Sequence, residues 1–154
     1  MFSKEEAKAL KIEFWTAFGT IMSKHQSASF EKIKWTNYKT KIKDLYFRLE
    51  TDNKTAKFCI DIQCEDETIR AIFFEQFGEF KNLLESNFHT ELFWIDSHYL
   101  PIGVEISRIY TQIENVNHFR KSDWPTIFEN MEKWLLAMDE FWSEFKDIFH
   151  ELAE

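Results

Sequence analysis

The sequence predicts an α+β fold, in which a mainly antiparallel sheet of four to five strands carries a long C-terminal helix. Three observations predict this fold. From residue 123 to the C-terminus, apolar residues recur at alternating three- and four-residue steps, the spacing of one helical face. Two earlier stretches alternate apolar and polar residues on either side of Asp52 and Asn53, as the strands of a β-hairpin do. The 154 residues include only three glycines and two prolines, so the backbone has few places where it must turn sharply.

The first helix is predicted to begin at a capping box. Ser3 and Glu6 stand three residues apart, so each side chain can accept a hydrogen bond from the backbone N–H of the other. An apolar helical face follows, and the helix ends in the polar run at residues 23–27. Residues 33–38 form either a short strand or an irregular turn, and the sequence leaves the structure of residues 23–43 open.

The hairpin and a second helix come next. Apolar residues take every second position over residues 45–50 and 57–63, which predicts two half-buried strands. Asp66 then caps a helix that is predicted to run unbroken to about Ser86. The predicted buried face of this helix consists of Ile69, Ile72, Phe73, Phe77, Phe80, Leu83 and Leu84.

A second pair of strands is predicted at residues 92–96 and 104–113, linked through Pro101 and Gly103. Within the later strand the apolar positions change parity, which favours a β-bulge near Ser107 and Arg108. The elements follow the order α-β-β(-β)-α-β-β-α, and we expect them to form a single domain over residues 1–154.

The last helix is predicted to start at Asp123, which can cap it, with Pro125 in its first turn. Two apolar rows run along this helix. The first row is Ile127, Met131, Trp134, Met138, Phe141, Phe145, Ile148 and Leu152, and the second is Phe128, Leu135, Trp142 and Phe149. Because two rows are wider than a coiled-coil seam, we expect part of this stripe to face a second subunit. The sequence therefore predicts a homodimer with Trp134, Phe141 and Phe145 at its interface.

The composition limits the classes of function. A net charge of −8 argues against non-specific nucleic-acid binding by the whole surface, because phosphates are held by lysine and arginine. Cys59 and Cys64 stand five residues apart, so on one strand their side chains would point to opposite faces and form no disulfide. Neither a signal peptide nor a run of about 18 apolar residues is present. These features predict a cytoplasmic protein that does not enter a membrane.

One short segment concentrates basic and aromatic residues. Lys39, Lys41 and Lys43 lie close to Trp35 and Tyr38. Interleaved cations and rings can bind a single nucleic-acid strand, by charge on the phosphates and by stacking on the bases. The alternative is a solvated lysine-rich loop, docked on the acidic last helix.

Two acids of the predicted hairpin are candidates for metal chemistry. If the turn centres on Asp52 and Asn53, Thr51 faces Lys54, and counting along the ladder places Asp44 opposite Asp61. Gln63 points to the same face. This pattern resembles the metal-dependent nuclease fold of many restriction endonucleases, and the resemblance implies Mg²⁺ held by Asp44 and Asp61. Gln63 stands where that family usually has lysine, so the resemblance lacks the group that helps to activate water.

Other chemical motifs are absent from the sequence. The five histidines have no helical partner four residues away and no C-x-x-C pair is present, so no metal site is predicted outside the nuclease alternative. The glycines stand singly, which excludes a phosphate-binding glycine-rich loop. The sequence therefore predicts no cofactor, and Mg²⁺ enters only with the nuclease alternative.

Six runs resemble a bacterial family of domains of unknown function. They are KIEFWTAFG (11–19), NYKT (37–40), YFR (46–48), FFEQF (73–77), SRIY (107–110) and DEFW (139–142). Members of that family occur alone or C-terminal to restriction-endonuclease-like domains, and they have no assigned catalytic residues. The resemblance implies a DNA-processing or defence setting. The leading hypothesis is thus a non-enzymatic interaction or accessory module, and the alternative is a divergent Mg²⁺-dependent nuclease that uses Asp44, Asp61 and Gln63.

Overall fold

The computed structural model describes residues 2–154 and confirms the predicted α+β fold. The elements are α1 (Lys4–Met22), β1 (Leu45–Thr51), β2 (Thr55–Ile62), α2 (Glu67–Glu79), α3 (Lys81–Phe88), β3 (Phe93–Tyr99), β4 (Glu105–Glu114) and α4 (Trp124–Leu152). Short 3₁₀ turns lie at Trp35–Asn37 and Lys121–Asp123. The capping box at the start of α1 forms as predicted, with Ser3 and Glu6 as its two members.

The four strands form one antiparallel sheet in the order β1-β2-β4-β3. All of its helical cover lies on one face. Trp142 of α4 packs on Phe47 of β1, and Phe88 of α3 packs on Phe58 of β2. The α2 helix contacts the same side of β3 through the ring pair of Phe74 and Trp94.

The α1 helix packs on α4 through the rings of Phe14 and Phe128, so it too lies on the helical side. Within residues 2–154, the opposite face of the sheet is therefore covered by side chains alone. We call it the open face. Its residues are Tyr46, Arg48, Glu50, Lys57, Cys59, Asp61, Phe93, Ile95, Arg108 and Tyr110.

The long last helix buries both of its apolar rows as far as Trp142. Trp134 and Phe141 are only 5% and 1% exposed, so they lie in the core of this chain. The dimer interface predicted at Trp134, Phe141 and Phe145 stays a prediction. Phe145 is half-buried and packs on Phe80 at 4.6 Å. Near the C-terminus the second row takes over, because Phe149 is buried and Ile148 is exposed.

The predicted second helix is two helices. The α2 helix ends at Glu79, and Phe80 leaves helical geometry with φ −99° and ψ 13° before α3 begins. The break places the Phe80 ring against Phe141, at 5.3 Å. The predicted face was too wide: Ile69, Ile72 and Leu83 are exposed, whereas Phe73, Phe77 and Leu84 are buried.

The irregularity of the second strand pair lies in β3, opposite the predicted position in β4. Ile95 pairs with Arg108 and His98 pairs with Ile106, so three steps along β3 match two along β4. The hydroxyl of Ser107 donates to the carbonyl of Asp96 at 2.6 Å and so fills the gap in the ladder. Ser107 is buried, so a polar residue takes a core-facing position of β4, and the change of apolar parity reflects this.

In the described part of the chain, no helix combines the length and the apolar composition that a membrane span needs.

Of the two predicted alternatives for residues 33–38, the structure has the irregular turn, and no strand forms there.

Candidate functional site

The two acids of the predicted metal pair do not face each other. Asp61 pairs with Tyr46 of β1, two positions from the predicted register, and Asp44 precedes β1 with φ 65°. The turn is centred on Asn53 and Lys54, one residue later than predicted, since Thr51 pairs with Ala56 and the Asp52 amide donates to the Thr55 carbonyl at 3.0 Å. The expected pairing of Asp44 with Asp61 is therefore wrong.

Asp61 is held inside the open face by an arginine of the neighbouring strand. Arg108 donates from Nε to Oδ1 at 2.8 Å and from Nη2 to Oδ2 at 2.9 Å. The same guanidinium reaches both carboxylate oxygens of Glu50 at 3.3 and 3.4 Å, and Arg48 Nε lies 3.6 Å from Asp61. Two arginines thus neutralise two carboxylates, and both oxygens of Asp61 already accept hydrogen bonds.

The ionisation states in this cluster follow from burial and charge. Burial opposes the charge of Arg108, but the hydrogen bonds from its guanidinium to Asp61 and the neighbouring charges raise its pKa above the ordinary value. Burial also raises the pKa of the neighbouring Cys59 thiol. The arginine therefore stays charged and the thiol stays protonated, so Cys59 is not a nucleophile.

Asp44 and Gln63 meet elsewhere, at the end of the sheet. The Gln63 amide donates to the Asp44 carbonyl at 2.7 Å, and both residues line a groove of about 580 Å³ together with Lys43. Across this groove Arg70 pairs with Glu105 at 2.6 Å. Among residues 2–154, no three histidine, cysteine, aspartate or glutamate side chains come together as a metal ion would require. The acids thus do not fit the magnesium site that the nuclease resemblance implies.

The basic segment is docked through its polar side chains, and its rings are not free to stack. Trp35 is buried, and its Nε1 donates to the His25 carbonyl at 3.4 Å. The Tyr38 hydroxyl donates to Asp139 of α4 at 2.5 Å, and Ser27 donates to the same carboxylate at 2.8 Å. Lys39, Lys41 and Lys43 remain exposed. The structure therefore matches the docked-loop alternative, with Asp139 as its anchor.

The open face carries aromatic residues that the sequence pattern did not single out. The Arg48 guanidinium lies 4.4 Å from the ring centre of Tyr46, and Phe93 stacks on Tyr110 at 5.0 Å. Lys57 lies 5.9 Å from the Tyr110 ring. Tyr46 and Phe93 are 39% and 53% exposed. The alternation in β1 and β2 indicated that Tyr46, Arg48 and Lys57 point away from the core. Only the pairing of β4 with β2 and β3 brings Phe93 and Tyr110 onto the same face.

A second candidate surface is a groove of about 680 Å³ between the ends of α3 and β4 and the middle of α4. Its apolar floor includes Trp134, Leu136 and Ala137, and Asn130 and Lys133 lie on its rim. The spacing in α4 predicted Trp134 as apolar surface, but the groove depends on where β3 stops along β4. No pattern in the sequence indicates where β3 stops.

A comparison with known proteins identifies the family of this chain. Residues 10–146 match the model of a domain of unknown function, DUF4268. The chain belongs to this family. No curated protein matches the chain, and neither does any solved structure. The DUF4268 match spans most of α1, the whole sheet and most of α4, so the open face and the groove both lie within it.

Proposed function

We propose that this DUF4268 domain is a non-enzymatic interaction module. The observation that carries the proposal is the open face, which has no helical cover in residues 2–154 and presents the rings of Tyr46, Phe93 and Tyr110. Large apolar rings left in water on one face of a sheet are typical of surfaces that bind another macromolecule. We treat residues 1–154 as one domain, since α1, the sheet and α4 contribute to one core.

Self-association is the first interaction that we propose, with the edge of β3 in place of the buried residues of α4. β3 is the last strand of the sheet, and all seven of its residues are exposed or half-exposed. An edge strand with aromatic residues such as Phe93 and Tyr99 is a template for pairing with another strand. A second copy of the chain has the same exposed β3 edge. Antiparallel pairing of the two β3 strands about a two-fold axis would give each of them a second strand neighbour.

Sedimentation equilibrium at micromolar concentration tests the homodimer. We expect a dimeric mass for the wild type and a monomeric mass for Tyr99→Lys, because a charged side chain on the edge opposes pairing. Ile69→Lys, at an exposed position of α2, is the matched control and should stay dimeric. A monomeric wild type would overturn self-association.

The setting that we propose is DNA processing or defence in the cytoplasm, without catalysis by this domain. The resemblance to modules attached to restriction-endonuclease-like domains supports the setting, and the two free, buried cysteines support a reducing compartment. We expect no cleavage of plasmid DNA with Mg²⁺ or Mn²⁺, because Asp61 is neutralised by Arg108. Metal-dependent cleavage that Asp44→Asn and Asp61→Asn both abolish would establish the nuclease alternative instead.

A further inference from the structure

The strand β4 is longer than the partner on one of its sides. β2 pairs with β4 as far as Glu114, whereas β3 begins at Phe93, opposite Tyr110. Before Phe93 the chain turns away, and the Leu92 amide donates to the Glu85 carboxylate at 2.7 Å. Residues 111–114 of β4 therefore have a strand neighbour on one side only.

The hydrogen bonds of the sheet show which backbone groups are left free there. In an antiparallel sheet the backbone groups of alternate residues bond to opposite neighbours. The Gln63 amide bonds to Asp44, so the odd-numbered residues of β2 bond to β1 and the even-numbered ones to β4.

With the observed register, this alternation directs the odd-numbered residues of β4 to β2. The backbone N–H and C=O groups of the even-numbered residues, including Gln112 and Glu114, then point to the β3 side. Within residues 2–154, no backbone hydrogen bond joins Gln112 to a residue on that side.

The free edge borders the groove of about 680 Å³ described above, which Gln112 and Ile113 help to line. Side chains of a strand alternate between the two sides of a sheet, so an added strand would direct every second side chain toward Trp134 and Ala137. The rim offers groups of both charges, Lys133 and Glu140. Backbone donors and acceptors beside an apolar floor are the features by which a sheet edge binds an extended peptide.

We propose that this groove is a docking site for an extended peptide segment of a partner protein, which adds a short strand to β4 beside Gln112. The proposal rests on the proposed function as an interaction module and names the class of its ligand. Four residues of free edge span about 13 Å at the rise of a β-strand, so the segment has about four residues in contact. Small aliphatic side chains fit the side that faces Ala137.

Proline substitutions test the free edge itself. Gln112→Pro removes an amide that has no backbone partner among residues 2–154, so the urea midpoint should change little. Thr111→Pro removes an amide bonded to β2 and should prevent folding. The two variants are matched, since they place the same residue at adjacent positions of one strand. Equal destabilisation by both would overturn the assignment of Gln112 to the free side.

Peptide binding is tested with a blocked pentapeptide of alternating threonine and valine at millimolar concentration. We expect it to shift the amide resonances of Gln112 and Glu114 and the indole resonance of Trp134. Gln112→Pro should bind it about three- to tenfold more weakly, the loss expected for one hydrogen bond.

Three results would overturn the peptide proposal. The first is the absence of shifts in the wild type, and the second is equal affinity in the variant. The third is protection of the Gln112 amide that grows with protein concentration in the absence of peptide, which would place a second copy in the groove. Cleavage of DNA by the domain would instead refute the proposed function and leave these amide measurements unaffected.

Discussion

Arg108 and Asp61 form a bidentate ion pair that joins the two central strands of the sheet. Both side chains are buried, although they lie on the face without helices. Taking two ions out of water is costly, and the pair persists because its geometry satisfies both oxygens of the carboxylate. Glu50 accepts from the other side of the same guanidinium. The cluster therefore contributes to stability only as a whole.

Asp61→Asn should lower the free energy of unfolding by about 3–5 kcal/mol, because it leaves the buried Arg108 without its buried charge partner, and the remaining partner Glu50 is 41% exposed. Urea unfolding measures the loss. Arg48→Ala is the matched control: its side chain is 43% exposed and 3.6 Å from Asp61, and its removal should cost less than about 1 kcal/mol. Equal small losses in both variants would mean that water reaches Arg108.

The hairpin shows what the sequence could and could not determine about this site. Alternation correctly assigned the faces, because the true register differs from the predicted one by two residues and side chains alternate with period two. The partners were wrong because the turn is centred one residue later than predicted, on Asn53 and Lys54. Asp52 Oδ1 accepts from the amides of Lys54 and Thr55, at 2.8 and 2.7 Å, and this closure was not recognisable beforehand.

The last helix also shows which features the apolar pattern predicts and which depend on the folded geometry. Its role in the fold was predictable from the apolar spacing, but that spacing does not reveal how much of the stripe the same chain covers. A straight α-helix drifts by about 20° per heptad relative to a 3.5-residue repeat. Toward the end of α4 this drift turns the first row outward, so that Ile148 is exposed while Phe149 stays buried. The partner of Asp61 was likewise out of reach, since β4 lies 47 residues further along the chain.

Trp142→Ala should cost about 3–5 kcal/mol of unfolding free energy, the usual range for a large aromatic core residue. The Trp142 ring packs edge-on against Phe47 at 5.0 Å and contacts Phe149 at 5.3 Å, so its loss opens a cavity between α4 and β1. Ile148→Ala, on the exposed side of the same helix, should cost less than about 1 kcal/mol. Urea unfolding of both variants checks the assigned face, and a reversed order of the two losses would contradict it.

Tyr38 should resist ionisation in the folded protein. Burial, together with its hydrogen bond to the Asp139 carboxylate, raises the pKa of the Tyr38 phenol well above its usual value of about 10. Because the folded pKa is raised, the associated stability is present below about pH 10 and is lost as the pH rises further. In an alkaline titration followed by tyrosinate absorbance, Tyr38→Phe should remove the component that appears only on unfolding. Loss of an earlier component would show that Tyr38 is accessible.

His118 should make the protein less stable in mild acid. Its ring lies 4.2 Å from that of Phe14 and its Nδ1 is 2.5 Å from the Thr51 hydroxyl, while no partner for its buried Nε2 occurs in residues 2–154. Burial, with a contribution from the charge of Lys11, lowers the pKa of His118.

The folded state therefore binds the proton less readily than the unfolded chain, whose histidine titrates near pH 6.5. The stability that neutral His118 allows is present above this pH and is lost as the pH falls through it. We expect the free energy of unfolding to drop between about pH 7.5 and about pH 5.5 by more in the wild type than in His118→Gln. Urea unfolding at the two pH values measures both drops, so a lower overall stability of the variant does not obscure the comparison. Equal drops would show that the folded state protonates His118 as readily as the unfolded chain does, which a ring enclosed by Phe14 and Thr51 cannot do without opening.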